Sequence, residues 1–253
     1  MNTLQTTRAS ILILALSACA GIAAAAEPNT APSLADQLDY RGCSEQTALL
    51  IVPAILMPPL APGFVYTTPA GDSLLAAIHV STSSCESVDG GGPEQEMLAF
   101  ALVKPPAELT IPEIGTYAVA LGGYTNGQQT LATFESWGIT DLIQPGSVDI
   151  KLAQLPLAHI GKVIAKSASS RVAMHITAVG LPTDFGGGRT RAYYMPNGVL
   201  VASFDAIYTA QQGMNAVGTV IQTGDGFLPL GISAAVGSHA WGYDLTVGEV
   251  QYY

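Results

Sequence analysis

Charge is scarce in this sequence: charged residues fill 11% of its 253 positions, against about a quarter in an average chain. Arg8 is the only charged residue among the first 26, so the remainder holds eight cations against 19 acids, a net charge of −11. The lysines (Lys104, Lys151, Lys162, Lys166) and the arginines (Arg41, Arg171, Arg189, Arg191) form no cluster. Gripping a phosphate backbone takes grouped cations. Nucleic acid is therefore excluded as a main partner, and so is electrostatic docking on anionic lipid.

Other absences narrow the chemistry. The four histidines are scattered, with no His-x-His, His-x-x-x-His or Cys-x-x-Cys, so no metal site is expected. Asp184, Asp205, Asp225 and Asp244 are too isolated to suggest a calcium loop. No Gly-x-Ser-x-Gly elbow occurs; Gly237-Ser238-His239 sets a serine beside a histidine, but sequence neighbours rarely form a catalytic pair. Gly186-Gly187-Gly188 lacks the spacing of a dinucleotide loop, and no cofactor is expected.

Long apolar runs are also missing beyond the start. The stretch from Ile11 to Ala26 follows a weakly positive opening and is shorter than the roughly 20 residues of a membrane span. It reads as a signal peptide over residues 1–26. Two cleavage points compete: Ala24-Ala25-Ala26 fits the ordinary small-residue site, and Leu16-Ser17-Ala18-Cys19 resembles a lipobox, which would end the leader at 18 and lipidate Cys19. The expectation is an exported protein that is periplasmic, secreted or an envelope lipoprotein, touching a membrane only through that anchor. With Cys19 removed or lipidated, Cys43 and Cys85 remain; an even count in an oxidising compartment reads as one disulfide, the alternative being two buried thiols. Residues 27–39, small and polar with two prolines, read as a tether to a single domain over 40–253.

Hydrophobic residues, at 49%, are what the chain does have. Within the domain, short apolar runs rich in Val, Ile, Thr and Tyr alternate with Gly, Pro, Asn and Asp. Residues 47–52, 73–80, 97–103, 116–121, 148–152, 171–179, 190–195, 199–208, 217–222 and 243–252 read as strands. Pro196-Asn197-Gly198 is the clearest hairpin turn, since Asn and Gly tolerate positive φ. Residues 153–167 read as a helix, with Leu157, Ile160 and Ile164 near helical spacing. The expected fold is mainly β: a closed or partly closed antiparallel β-barrel with a few short helices.

Few titratable groups are candidates for chemistry. His79 and His175 lie in apolar strands and could be acid–base partners if both faced a barrel interior, although a strand histidine is more often a satisfied core or surface residue. Lys104 ends an apolar strand before Pro105-Pro106; desolvated, it could form a Schiff base, yet a lysine there is more often a solvated stop.

Leu49-Leu50-Ile51-Val52-Pro53, Met57-Pro58-Pro59-Leu60, Pro62-Gly63-Phe64, the strand over 73–80 followed by Cys85, and Glu96-Met97 through Lys104-Pro105-Pro106 make a frame. That frame resembles the acetoacetate decarboxylase-like superfamily, and in particular its uncharacterised secreted members. The C-terminal half is similar in layout only, from Arg191-Ala192-Tyr193-Tyr194 to Phe204-Asp205 and from Gly237-Ser238-His239 to Asp244. The resemblance implies a closed barrel with an internal cavity, and in the decarboxylase itself a barrel lysine forms a Schiff base with a β-keto acid, assisted by carboxylates. This sequence has no Gly-Tyr-Pro-Lys-Lys stretch, and Trp137-Gly138-Ile139 in the corresponding region brings no lysine. Glu96 is the one acid carried over. Three functions follow: an exported barrel binding an apolar or weakly polar small molecule, a decarboxylase-like lyase or isomerase using Glu96 on a keto acid-type substrate, or a structural envelope lipoprotein.

Overall fold

The computed structural model describes residues 37–228 and 232–253. The leader, Cys19 and most of the expected tether lie outside the described residues. Thirteen strands are described: β1 (Gln37–Pro53), β2 (Val65–Tyr66), β3 (Leu75–Cys85), β4 (Ser87–Val88), β5 (Glu94–Lys104), β6 (Thr116–Thr125), β7 (Ile143–Pro145), β8 (Ser147–Leu155), β9 (Ala158–Lys166), β10 (Ser170–Val179), β11 (Thr183–Tyr194), β12 (Ala202–Gly224) and β13 (Ile232–Tyr252). One α-helix, α1 (Gln128–Ser136), follows β6. Because β1 begins at Gln37, residues 37–39 are strand and not tether.

Seven strands ring round in the order β11-β6-β5-β3-β1-β13-β12, and β12 pairs back onto β11. The ladder between β11 and β6 is parallel, while the other six of the ring are antiparallel. β12 is 23 residues long; one edge pairs with β13, and the other serves two partners, residues 202–213 pairing with β11 and residues 216–224 with β10. From there β10, β9 and β8 extend the sheet and fold over one side of the ring as a second layer.

Strand alternation therefore feeds two cores. One face of β1, β3 and β5, with Leu50, Ile78, Val80 and Met97, packs against Val163, Met174 and Ile176 of the second layer. The opposite face joins a cluster that draws Tyr40, Cys85, Ala120, Ala192, Phe204 and Val247 from different ring strands, together with Phe134 of α1 and the nearby Trp137. α1 lies against this second cluster through Thr130, Thr133 and Phe134 and leaves its other side exposed. The Cys43–Cys85 disulfide ties β1 to β3 at that face.

The helix expected over 153–167 is instead the β8–β9 hairpin, with Leu155 opposite Ala158. The helical spacing that suggested it belongs to side chains facing solvent: Leu157 is 58% exposed and Ile160 38%. The buried set, Gly161, Val163 and Ala165, recurs every second residue. The 196–198 turn joins β11 to β12, with Asn197 at φ 53° and Gly198 at φ 78°.

Candidate functional site

Strand period places Glu94 and Glu96 on the face of β5 that Leu98 and Phe100 turn toward α1. Glu94 caps α1 from another element. Its Oε1 accepts the Gln129 N–H at 2.9 Å, and its Oε2 accepts the Thr130 hydroxyl at 2.6 Å. The negative carboxylate thus meets the positive end of the helix and two of its unsatisfied N–H groups. Gly127 precedes the helix because a Cβ there would lie 1.8 Å from Glu94 Oε2.

Glu96 is less well served. The Ser83 hydroxyl donates to its Oε1 at 3.3 Å, and the Tyr40 hydroxyl reaches its Oε2 at 3.5 Å. Tyr40 has one proton, and Thr130 Oγ1 stands nearer, at 3.0 Å. Since the Thr130 proton is committed to Glu94, the Tyr40 proton is drawn to Thr130. Burial pushes the Glu96 carboxyl up to about 7; the Ser83 and Tyr40 hydrogen bonds oppose this, and the charges of Glu94 and Glu45 add to it. Burial, with the Glu96 charge next, likewise holds the Tyr40 phenol well above its ordinary value. Ser83, Glu96, Tyr40, Thr130 and Glu94 form one buried chain of oxygens between β3, β5, β1 and α1.

The other sequence candidates do not gather there. Lys104 shares the face of Glu96 but ends the strand eight residues on, roughly 27 Å away at the strand rise, and it is exposed. Lys151, Lys162 and Lys166 are also exposed, so no lysine of the chain stands beside the carboxylates. His79 is on the same face of β3 as Ser83, where burial lowers its pKa and the Glu45 charge opposes the shift. His175 is exposed on β10, on the face away from Met174 and Ile176. The two histidines do not meet, because β10 turns that face to solvent. Ser238 bonds Thr47 and His239 bonds the Glu45 carbonyl, so these sequence neighbours form no pair.

Sequence reasoning missed Glu94, Tyr40 and Thr130. Period-2 alternation from Glu96 points to Glu94; nothing local points to Tyr40 or Thr130, which arrive from distant elements.

The carboxylates are closed off. A void beside α1, between Leu98, Phe100, Phe134 and Phe204, holds about 10 Å³. A larger open cleft of about 420 Å³ lies elsewhere, between Ala61–Phe64, Pro106–Leu109 and Gly198–Leu200. Its walls are apolar apart from Glu108. Among the described residues no three of His, Cys, Asp and Glu converge as metal ligands.

No family model and no curated protein sequence matches the chain. Solved structures do. An acetoacetate decarboxylase from Legionella pneumophila superposes with a TM-score of 0.54 at 14% identity, covering 100% of this chain and 97% of that one. A second acetoacetate decarboxylase structure gives 0.53 at 10% identity, covering 87% and 91%. The enduracididine biosynthesis enzyme MppR gives 0.51 at 12% identity, covering 88% of each chain. This chain has the acetoacetate decarboxylase-like fold.

Proposed function

We propose that this is an exported small-molecule-binding protein on the acetoacetate decarboxylase-like scaffold that performs no Schiff-base chemistry. One observation carries the reading: the buried carboxylates Glu94 and Glu96 are partnered by hydroxyls, and all four lysines are exposed and away from them. An imine needs a primary amine within bonding reach of the keto carbon. Glu96 itself is 5% exposed, covered by its own fold rather than open to a substrate. The open cleft has the volume and apolar walls of a small-ligand site, and its ligand is a weakly polar molecule seated on Phe64, Leu109 and Leu200.

The test pairs two measurements. Borohydride reduction with acetoacetate or pyruvate leaves the intact mass unchanged; a reduced adduct on any lysine would overturn the reading. A small-molecule screen by thermal shift yields hits that are lost in Val199→Asp, which puts a charge on an exposed wall of the cleft. Hits that survive this substitution place the ligand elsewhere.

A second reading rests on Glu96. A carboxyl titrating near 7 is suited to general acid–base work, as in a lyase or isomerase acting on a keto acid-type substrate. It requires α1 to move off the carboxylates it covers. Turnover of such a substrate that disappears in Glu96→Gln would favour it over the binding protein.

A further inference from the structure

At one end of the core between the ring and the second layer, polar groups gather where the pattern calls for apolar ones. His239 on β13 is paired in register with Gln46 on β1 and with Met214 on β12. Register partners share a sheet face with their Cβ atoms about 5 Å apart, so all three look toward the second layer. From that layer His159 of β9 comes to meet them. The rings of His159, His239 and Trp241 are mutually packed, each pair of centroids 5.0 Å apart. Gly161, two residues along from His159, lets the layers close, because a Cβ there would stand 1.9 Å from Gln46 Oε1.

Three buried atoms in this cluster have no protein hydrogen-bond partner: His239 Nε2, His159 Nδ1 and Gln46 Oε1. His239 and Gln46 are 1% and 2% exposed. The tautomer of His239 follows from its other nitrogen. Nδ1 lies 3.1 Å from the Glu45 carbonyl, which can only accept, so the proton is on Nδ1 and Nε2 presents a bare lone pair to the core. A histidine whose far nitrogen is fixed by a backbone carbonyl is the arrangement of metal-bound imidazoles.

We propose that His159, His239 and Met214 form a site for a soft monovalent cation, Cu(I) or Ag(I), with the indole of Trp241 against it. The donors on offer are imidazole nitrogen and thioether sulfur, with no carboxylate or thiolate in the cluster. Hard cations seek oxygen ligands, and a divalent ion would bring two charges into a core holding no anion. A monovalent d10 ion brings one charge, suits thioether and imidazole, and is attracted by the face of a tryptophan. The simpler occupant of three orphaned polar atoms is a bridging water, and the experiment separates the two.

The full chain carrying Cys19→Ser is titrated with Ag(I) in chloride-free buffer, following histidine imidazole and tryptophan indole signals by NMR. Saturation is expected near about one equivalent, moving His159, His239 and Trp241 while His79, His175 and Trp137 stay in place. Anaerobic Cu(I) competition against a chromophoric chelator gives the same stoichiometry. Met214→Leu, which conserves core volume, and His159→Gln each weaken binding by about tenfold or more. The proposal is overturned if wild type shows no saturable shift, if Met214→Leu and His159→Gln bind as tightly as wild type, or if Zn(II) outcompetes Ag(I) for these residues.

Discussion

Asp205 and Glu96 are both carboxylates removed from water, at 0% and 5% exposure, yet they sit in opposite surroundings. Asp205 lies where β11 joins β12 to close the ring. Arg191 grips it with two parallel bonds, Nε to Oδ1 at 2.6 Å and Nη2 to Oδ2 at 2.9 Å, and Arg189 Nε adds a third at 2.8 Å. Glu96, buried beside α1, has two long hydroxyl contacts and another carboxylate nearby. The pairing with Asp205 raises the Arg191 pKa, whereas burial lifts that of Glu96 toward neutrality. Burial removes water from both; only the partner that replaces the water decides whether the charge survives. The first centre is a staple, and the second is a carboxyl that burial pushes up.

Breaking the staple has the largest expected effect. Asp205→Asn leaves the buried Arg191 without its counter-charge, a class of change that costs about 3–5 kcal/mol; urea unfolding measures it. Removing the Cys43–Cys85 bridge with a Cys43→Ala/Cys85→Ala double variant opens a span of 42 residues between the strands that carry Tyr40 and Ser83. The chain-entropy model puts that loss at about 4 kcal/mol, read by the same unfolding curves.

The pH dependence sharpens the other side of the comparison. Glu96 titrates near 7 when folded against an ordinary 4.5. Below 4.5 it is protonated in both states. As pH rises from 4.5 to 7 the unfolded chain ionises while the folded one does not, so its contribution to stability falls by about 3 kcal/mol and then levels off. Glu96→Gln removes this loss, so the variant gains on wild type across that window. A constant difference between the two over pH 4 to 8 would mean that Glu96 is ionised in the fold. The smallest effect is that of Thr130→Val, which keeps the shape and deletes the hydroxyl between Tyr40 and Glu94. It costs about 1–2 kcal/mol, and Glu94 keeps its bonds to the start of α1.

Much of the strand content was legible because burial on a pleated surface writes a period of two. The 97–103 run is β5 with Met97, Ala99, Ala101 and Val103 buried. The Asn197-Gly198 turn was legible because few residues accept its backbone angles. Residues 153–167 misled because Leu157, Ile160 and Ile164 mimic helical spacing while facing outward or lying half-buried, and α1 passed unread because it buries only Thr130, Thr133 and Phe134. In the candidate site Glu96 was found from its strand, but its environment was not.

By itself the sequence determined a charge-poor, strand-rich domain with a cysteine pair, because composition, alternation and parity are local properties. The tertiary structure decided which acids share a centre, that no lysine reaches them, and that His159 meets His239 across two layers. The contacts behind those relations join residues 36 to 90 positions apart, brought together when β12 leaves the ring to join the second layer and when α1 packs over the strands that carry the acids. Pairwise distances of that kind follow from how sheets close and stack, and no short window of sequence contains them.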